Sequence, residues 1–324
     1  MGLVKIIFLG ALAVWAGTAT AKDHDIWCRE IFTSLHFPES VHKRERDTVT
    51  PDYSEWSAKV ANEARTIFQL GATTSKKIEW LFDDVSNARV RFQYRYFEGR
   101  YAEFYGILNV PPDGDYSLRR KHQVDFGIVF FDGQRDIVSA HGPTAALAFA
   151  TIKSILPSQI SDEGRSSFEL AHTYTDLNGQ PVPLKVIGGD VGSCHNGSFY
   201  GQMKSITEVY MPERGFAVAK ARLALALETD DFHRSMEQFT KAVYVYFASM
   251  PYVRGSAATG RIVFSVVGRE IFGRAIKLDS EIDIRALLMS EGDFTSWLQG
   301  EILNQLNPNP TYEYHFHGSP ISSR

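Results

Sequence analysis

The sequence predicts an α+β protein, with a mixed N-terminal half built on β-hairpins and a mainly α-helical C-terminal half. Three observations carry that expectation. Before residue 213, apolar and polar residues alternate in short runs closed by Asp-Gly and Asn-Gly pairs, the strongest short-range hairpin signal. After it, apolar residues recur at helical spacing over long stretches. Across the 324 residues, 44% are apolar, 22% charged and 13% aromatic, an ordinary globular composition with ample material for a packed core.

Residues 1–21 have the form of a secretory signal peptide. Lys5 supplies the positive start, Ile6 to Gly17 the apolar run, and Ala19-Thr20-Ala21 the small-residue cleavage site. The run gives way to Lys22-Asp23-His24-Asp25, short of the roughly 20 apolar residues that a membrane span needs. The expectation is a soluble secreted or periplasmic chain with no membrane span after cleavage.

A mixed region is expected over residues 22–212. Asp52-Tyr53-Ser54-Glu55 has capping-box spacing, and Trp56, Val60, Ala64, Ile67 and Phe68 mark one face of a helix that runs to Gly71. From Ala88, Val90, Phe92, Tyr94 and Tyr96 alternate with Arg89, Arg91 and Arg95, which predicts a strand turned at Phe97-Glu98-Gly99-Arg100 into a second, Tyr101 to Val110. Ile128 to Phe131, Asp132-Gly133 and Asp136 to Val138 predict another hairpin; His172 to Thr175, Asn178-Gly179 and Val182 to Ile187 predict a third. Helices are expected around Pro143 to Leu156 and Glu163 to Ala171, and a turn at Gly188-Gly189-Asp190. A helical region should follow over 213–306, then an irregular tail over 307–324 with Pro308, Pro310 and Pro320.

Charge and cysteine content narrow the function classes. Lys and Arg total 34 against 38 Asp and Glu, and this net charge of −4 speaks against a nucleic-acid partner. The two cysteines, Cys28 and Cys194, would both meet an oxidising compartment after export, so a Cys28–Cys194 disulfide is the expected pairing. The loop-entropy relation gives such a closure up to about 5 kcal/mol. The competing use of Cys194 is as a nucleophile with His195 as base, although sequence neighbours rarely converge in that geometry. His315-Phe316-His317 raises a metal site, but no His-Glu-x-x-His or Cys-x-x-Cys is present and no metal is expected.

The segment with the strongest chemical signal lies in the helical half. Phe232, Met236, Phe239, Val243 and Phe247 recur at +4, +3, +4 and +4, predicting a helix from about Asp231 to Ser249. Pro251 ends it, Arg254-Gly255-Ser256-Ala257-Ala258-Thr259-Gly260 reads as a small-residue loop, and Arg261 to Phe272 as a buried helix ending at Gly273. Arg261, Ser265 and Arg269 share one face of that helix. A glycine-containing loop at a helix N-terminus, flanked by Arg254 and Arg261, is a candidate anion site backed by the Ser256 and Thr259 hydroxyls. The bland alternative pairs the arginines with Asp230, Asp231, Glu237 or Glu270 and leaves the small residues to pack helices tightly.

The order helix, Met250-Pro251-Tyr252, glycine-containing loop, Gly260-Arg261, apolar helix resembles the core of Fic/Fido proteins, in which His-Pro-Phe precedes a Gly-Asn-Gly-Arg loop. About 60 residues are covered. The resemblance implies a loop that holds nucleotide phosphates, a histidine that activates a hydroxyl of a target protein, and a loop acid that helps hold a divalent metal. Pro251, Tyr252, Gly260 and Arg261 match; Met250 stands at the histidine position and no acid lies between Arg254 and Arg261, so transfer by that mechanism is not expected. The sequence therefore points to an exported effector or envelope protein binding an anionic small molecule or a target protein through Arg254, Gly255, Ser256, Thr259, Gly260, Arg261, Ser265 and Arg269. Its competitors are a non-catalytic secreted interaction module and a hydrolase centred on Cys194-His195 or the C-terminal histidines.

Overall fold

The structure is a computed structural model. It describes residues 41–43, 53–96, 108, 122–130, 137–139, 166–191, 193–195, 198–205, 212–252 and 254–307. The expected signal peptide 1–21, Cys28, the helix around Pro143 to Leu156, and His315 and His317 lie outside the described residues, as does the strand Tyr101 to Val110 apart from Leu108. The fold is α+β: helices predominate, accompanied by two sheets.

The chain forms two compact units. One comprises Met1–Asp47, Gln123–Leu170 and Val186–Ile206. It carries β1 (Val41–Lys43), β2 (His122–Phe130), β3 (Ile137–Ser139), β6 (Ser193–His195) and β7 (Ser198–Ser205), ordered β1-β3-β2-β7-β6. The hairpin expected across Asp132-Gly133 appears as the antiparallel pair β2 and β3, with Val129 opposite Val138. β6 and β7 pair around Asn196-Gly197, with Cys194 opposite Phe199.

The second unit comprises Thr48–His122, Ala171–Lys185 and Thr207–Arg324. Its helices are α1 (Tyr53–Ala64), α2 (Thr74–Tyr96), α3 (Pro212–Glu228), α4 (Phe232–Ser249), α5 (Ser256–Phe272), α6 (Ile282–Leu288) and α7 (Glu291–Leu306), with a 3-10 turn over Arg65–Gln69. The third hairpin is β4 (Ser166–Thr175) with β5 (Pro181–Val191), of which Ala171–Lys185 belongs to this unit. Its tight turn follows from Asp176, whose Oδ1 accepts from the backbone N–H groups of Asn178 and Gln180, both at 2.9 Å, and from Gly179 at φ 78°.

Four expectations are corrected. Val90 to Tyr96 is not a strand but the end of α2, because Ile78, Leu81, Phe82, Val85, Ala88 and Phe92 form a buried helical stripe with no glycine or proline to break it. The arginines that seemed to alternate belong to that helix; Arg89 lies 5.1 Å from the Phe92 ring centre and 6.0 Å from that of Trp56. Glu163 to Ala171 is not helical from Ser166 onward, where β4 extends the hairpin backwards, and Gly188-Gly189-Asp190 is part of β5 rather than a turn. Finally, Ser256 to Gly260 is not a loop: α5 begins at Ser256 behind Gly255, whose φ of 87° needs no side chain in its way.

α4 and α5 form the centre of the helical unit. Asp231 caps α4, its side chain accepting from the Arg234 N–H at 2.7 Å, and twelve of the 18 residues of α4 are buried. Buried rings pack around them: Phe82 stacks on Tyr246 at 5.4 Å and meets Phe216 edge-on at 4.8 Å, while Phe264 contacts Tyr246 at 5.4 Å and Phe239 at 5.8 Å. This core fixes α5, and thereby Arg261 and Ser265.

Candidate functional site

The turn between α4 and α5 is closed upon itself. Met250 caps α4 in the left-handed conformation, φ 44°, and Gly255 adopts it again before α5. Between them the Ser256 hydroxyl accepts from the Tyr252 N–H at 2.9 Å and donates to the Tyr252 carbonyl at 3.1 Å. The Tyr246 hydroxyl donates to the Ser256 carbonyl at 2.9 Å. Complete burial raises the Tyr246 hydroxyl far above the ordinary phenol range and keeps it a donor.

Consequently the eight candidate residues do not converge. Ser256, Thr259 and Gly260 are buried, Arg254 and Arg269 are exposed, and Arg261 and Ser265 line one depression. A Cβ on Gly260 would collide with Tyr246 Cε1 and lie 2.8 Å from Phe247 Cζ, so this glycine serves helix packing. Nor do the proposed acids pair with the arginines of α5. Glu270 binds Arg65 at 3.2 Å, Glu237 binds Lys241 at 2.6 Å, and Asp231 caps α4. Arg261 instead donates from Nη1 to the Ser280 carbonyl at 2.6 Å.

Arg261 and Ser265 line a groove of about 260 Å³ with Ser57, Ala58 and Ala61 of α1 and with Lys277. Lys277 comes from the connection after α5, which Gly273 starts at φ 71°. Along it Ile276 and Leu278 are buried and Lys277 is exposed, the period-two pattern of an extended segment with one face inward. Gln305 of α7 holds that segment by both edges, its Oε1 accepting from the Lys277 N–H at 2.8 Å and its Nε2 donating to the Lys277 carbonyl at 3.0 Å. Lys277 and Leu278 also wall a neighbouring cavity of about 630 Å³, which holds Asp279, Ser280, Arg285, Trp297 and Glu301. Its size suits a small-molecule ligand. Sequence reasoning missed Lys277, Arg285 and Trp297; the Ile276-Lys277-Leu278 alternation was the signal that could have placed the first.

A second polar cluster serves the hairpin. Arg222 of α3, buried, donates to the Gln238 side chain at 2.7 Å and to the carbonyls of Thr175 at 2.7 Å and Asp176 at 3.1 Å. Glu291 Oε2 accepts from the Thr175 N–H at 3.0 Å and hydroxyl at 2.6 Å. Burial lowers the Arg222 guanidinium from its usual range, opposed by Glu291, Glu237 and Asp176. Burial also lowers the His172 imidazole, opposed by a backbone hydrogen bond at Leu287 and by the Asp293 carboxylate. Arg222 of α3 and Glu291 of α7 both bind the Thr175–Asp176 end of the hairpin, so the cluster reads as the tie between hairpin and helices. Among the described residues, no group of His, Cys, Asp and Glu could hold a metal ion, and no helix is long and apolar enough to cross a membrane. Cys194 and His195 are consecutive residues of β6. No protein-family model matches the chain, and no curated protein matches it.

Proposed function

We propose that the chain is an exported protein, a secreted effector or envelope component, that binds an anionic ligand bearing phosphate or carboxylate in the groove where Arg261 and Ser265 of α5 meet Lys277. The observation that carries the reading is this convergence of two cations and a hydroxyl on one depression of about 260 Å³. Arg261 has one nitrogen spent on Ser280, which orients its guanidinium, while Lys277 is held at its backbone and exposed at its side chain. The export half rests on residues 1–21 alone. Binding without group transfer is proposed, because Met250 at the position corresponding to the Fic/Fido histidine has no basic nitrogen to accept a proton.

Thermal unfolding of the oxidised mature protein against inorganic phosphate, nucleotides and sugar acids tests the reading. A ligand at a hundredfold its Kd adds about 2.7 kcal/mol to the native state. The shift should vanish in Lys277→Ala and Ser265→Ala, neither of which strips a backbone carbonyl of its donor as Arg261→Ala does to Ser280. No shift with any anion would select the protein-interaction module instead.

A further inference from the structure

The groove and the larger cavity meet along one short ridge, and the ridge holds an arginine on each flank. Arg261, which lines the groove, donates to the Ser280 carbonyl at 2.6 Å. Arg285, which lines the cavity, donates from Nε to Asp279 Oδ2 at 3.1 Å. Asp279 Oδ1 in turn accepts from the Glu281 N–H at 3.1 Å, so this single carboxylate fixes both the turn and the Arg285 head group. Lys277 and Leu278 form a wall of both depressions.

We propose that the ligand carries two anionic groups joined by a spacer, one received in the Arg261 groove and the other in the Arg285 cavity, with residues 277–280 as the ridge it crosses. The inference rests on the anion-binding reading above and deepens it by naming the ligand class. Arg285 has the geometry for its part. Its Nε is used by Asp279, and the guanidinium carbon sits 4.8 Å from the centre of the Trp297 ring, which sets its plane. Nη1 and Nη2 make no bond among the described residues, leaving an oriented end-on fork that matches a carboxylate or phosphate.

Lys277 supplies a further cation on the ridge itself. Ile276 and Leu278 anchor it from below and Gln305 clamps its backbone, so the residue that lines both depressions is held on a fixed base. Glu301 makes no ion pair among the described residues and lies on the cavity wall. It opposes additional negative charge at that end, which favours two separated anionic groups over a dense cluster of them.

The test is a binding series on the full mature chain by calorimetry at fixed ionic strength. Two sets of probes separate the possible head groups: acetate against linear dicarboxylates of rising length, and inorganic phosphate against linear alkanediol bisphosphates of rising length. The expected result, in one set or the other, is a bis-anion of matching length bound at least about tenfold more tightly than the monoanion, through the second contact becoming intramolecular. Arg285→Gln, which still offers Asp279 a donor, should abolish that gain while leaving monoanion binding in the groove unchanged. Glu301→Gln should raise bis-anion affinity. If the monoanion binds and length makes no difference, or the gain survives Arg285→Gln, the inference is overturned while the anion-binding reading stands. If no probe in either set binds, both fall.

Discussion

Replacing Gly260 with alanine distinguishes a packing role from a ligand role for the small residues that open α5. The added Cβ would overlap Tyr246 Cε1 and approach Phe247 Cζ to 2.8 Å. Neither ring can swing aside freely: both are fully buried, and Tyr246 is held by its bond to the Ser256 carbonyl and by Phe82 and Phe264. Overpacking of this kind costs about 1–3 kcal/mol, while exchanging a helix-interior glycine for alanine returns up to about 1 kcal/mol. With two close contacts, the net expectation is a loss of about 1–2 kcal/mol.

Gly300 in α7 is the internal control, since a Cβ there meets nothing within 4 Å. Gly300→Ala should stabilise by about 0.5–1 kcal/mol through helix propensity alone. Urea unfolding of both variants beside the parent measures the difference, and each kcal/mol corresponds to about 2–4 °C in Tm for a unit of this size. A Gly260→Ala protein as stable as Gly300→Ala, but with weakened anion binding, would refute the packing argument and return Gly260 to the ligand site.

Two further outcomes follow from the hairpin cluster. The folded-state pKa of His172 is depressed, so the unfolded chain binds its proton first as pH falls through the ordinary 6.5; the stability of the neutral form is present above that value and is lost below it. The urea midpoint should therefore drop between about pH 7 and pH 5 in the parent and drop less in His172→Gln, and equal slopes would exclude His172 as the cause. Arg222→Met should cost about 2–4 kcal/mol in urea unfolding, because the Thr175 and Asp176 carbonyls and the Gln238 oxygen all lose their donor; a cost under about 1 kcal/mol would mean that water replaces it.

Elements were legible where one residue pattern had one physical solution. The α4 stripe could only be a helix at +4, +3, +4, +4, and Asn178-Gly179 between two alternating runs could only turn a hairpin. The failure at Val90 to Tyr96 has the opposite cause. Over seven residues, alternation of large apolar groups with arginine satisfies a strand and a helix equally well, because an arginine head group can lie over an aromatic ring, as that of Arg89 does over Phe92. Only the longer stripe from Ile78 to Phe92 resolves the ambiguity. Likewise Ser256 to Gly260 read as a loop because small residues are common to loops and to close helix contacts, and the deciding fact, Tyr246 beneath Gly260, sits fourteen positions earlier in the chain.

The same reasoning explains why the candidate site was half legible. Arg261 and Ser265 belong to one helix, so their common face follows from 3.6-residue geometry and needs no knowledge of the fold. Lys277 and Arg285 reach the ridge from an extended connection and from α6, and Trp297 from α7; nothing local relates them until the Asp279 carboxylate and the Gln305 amide bring those segments into register. A cation on a helix face is by itself a solubility feature. It becomes a binding feature when its head group is oriented by the protein and its remaining donors are left open, which is the condition that Asp279 and Trp297 impose on Arg285 and that Ser280 imposes on Arg261. Because one turn orients both arginines, Asp279→Ala should weaken the cavity and the groove together, whereas Arg285→Gln should weaken the cavity alone, and bis-anion binding measured in the two variants separates a shared support from two independent sites.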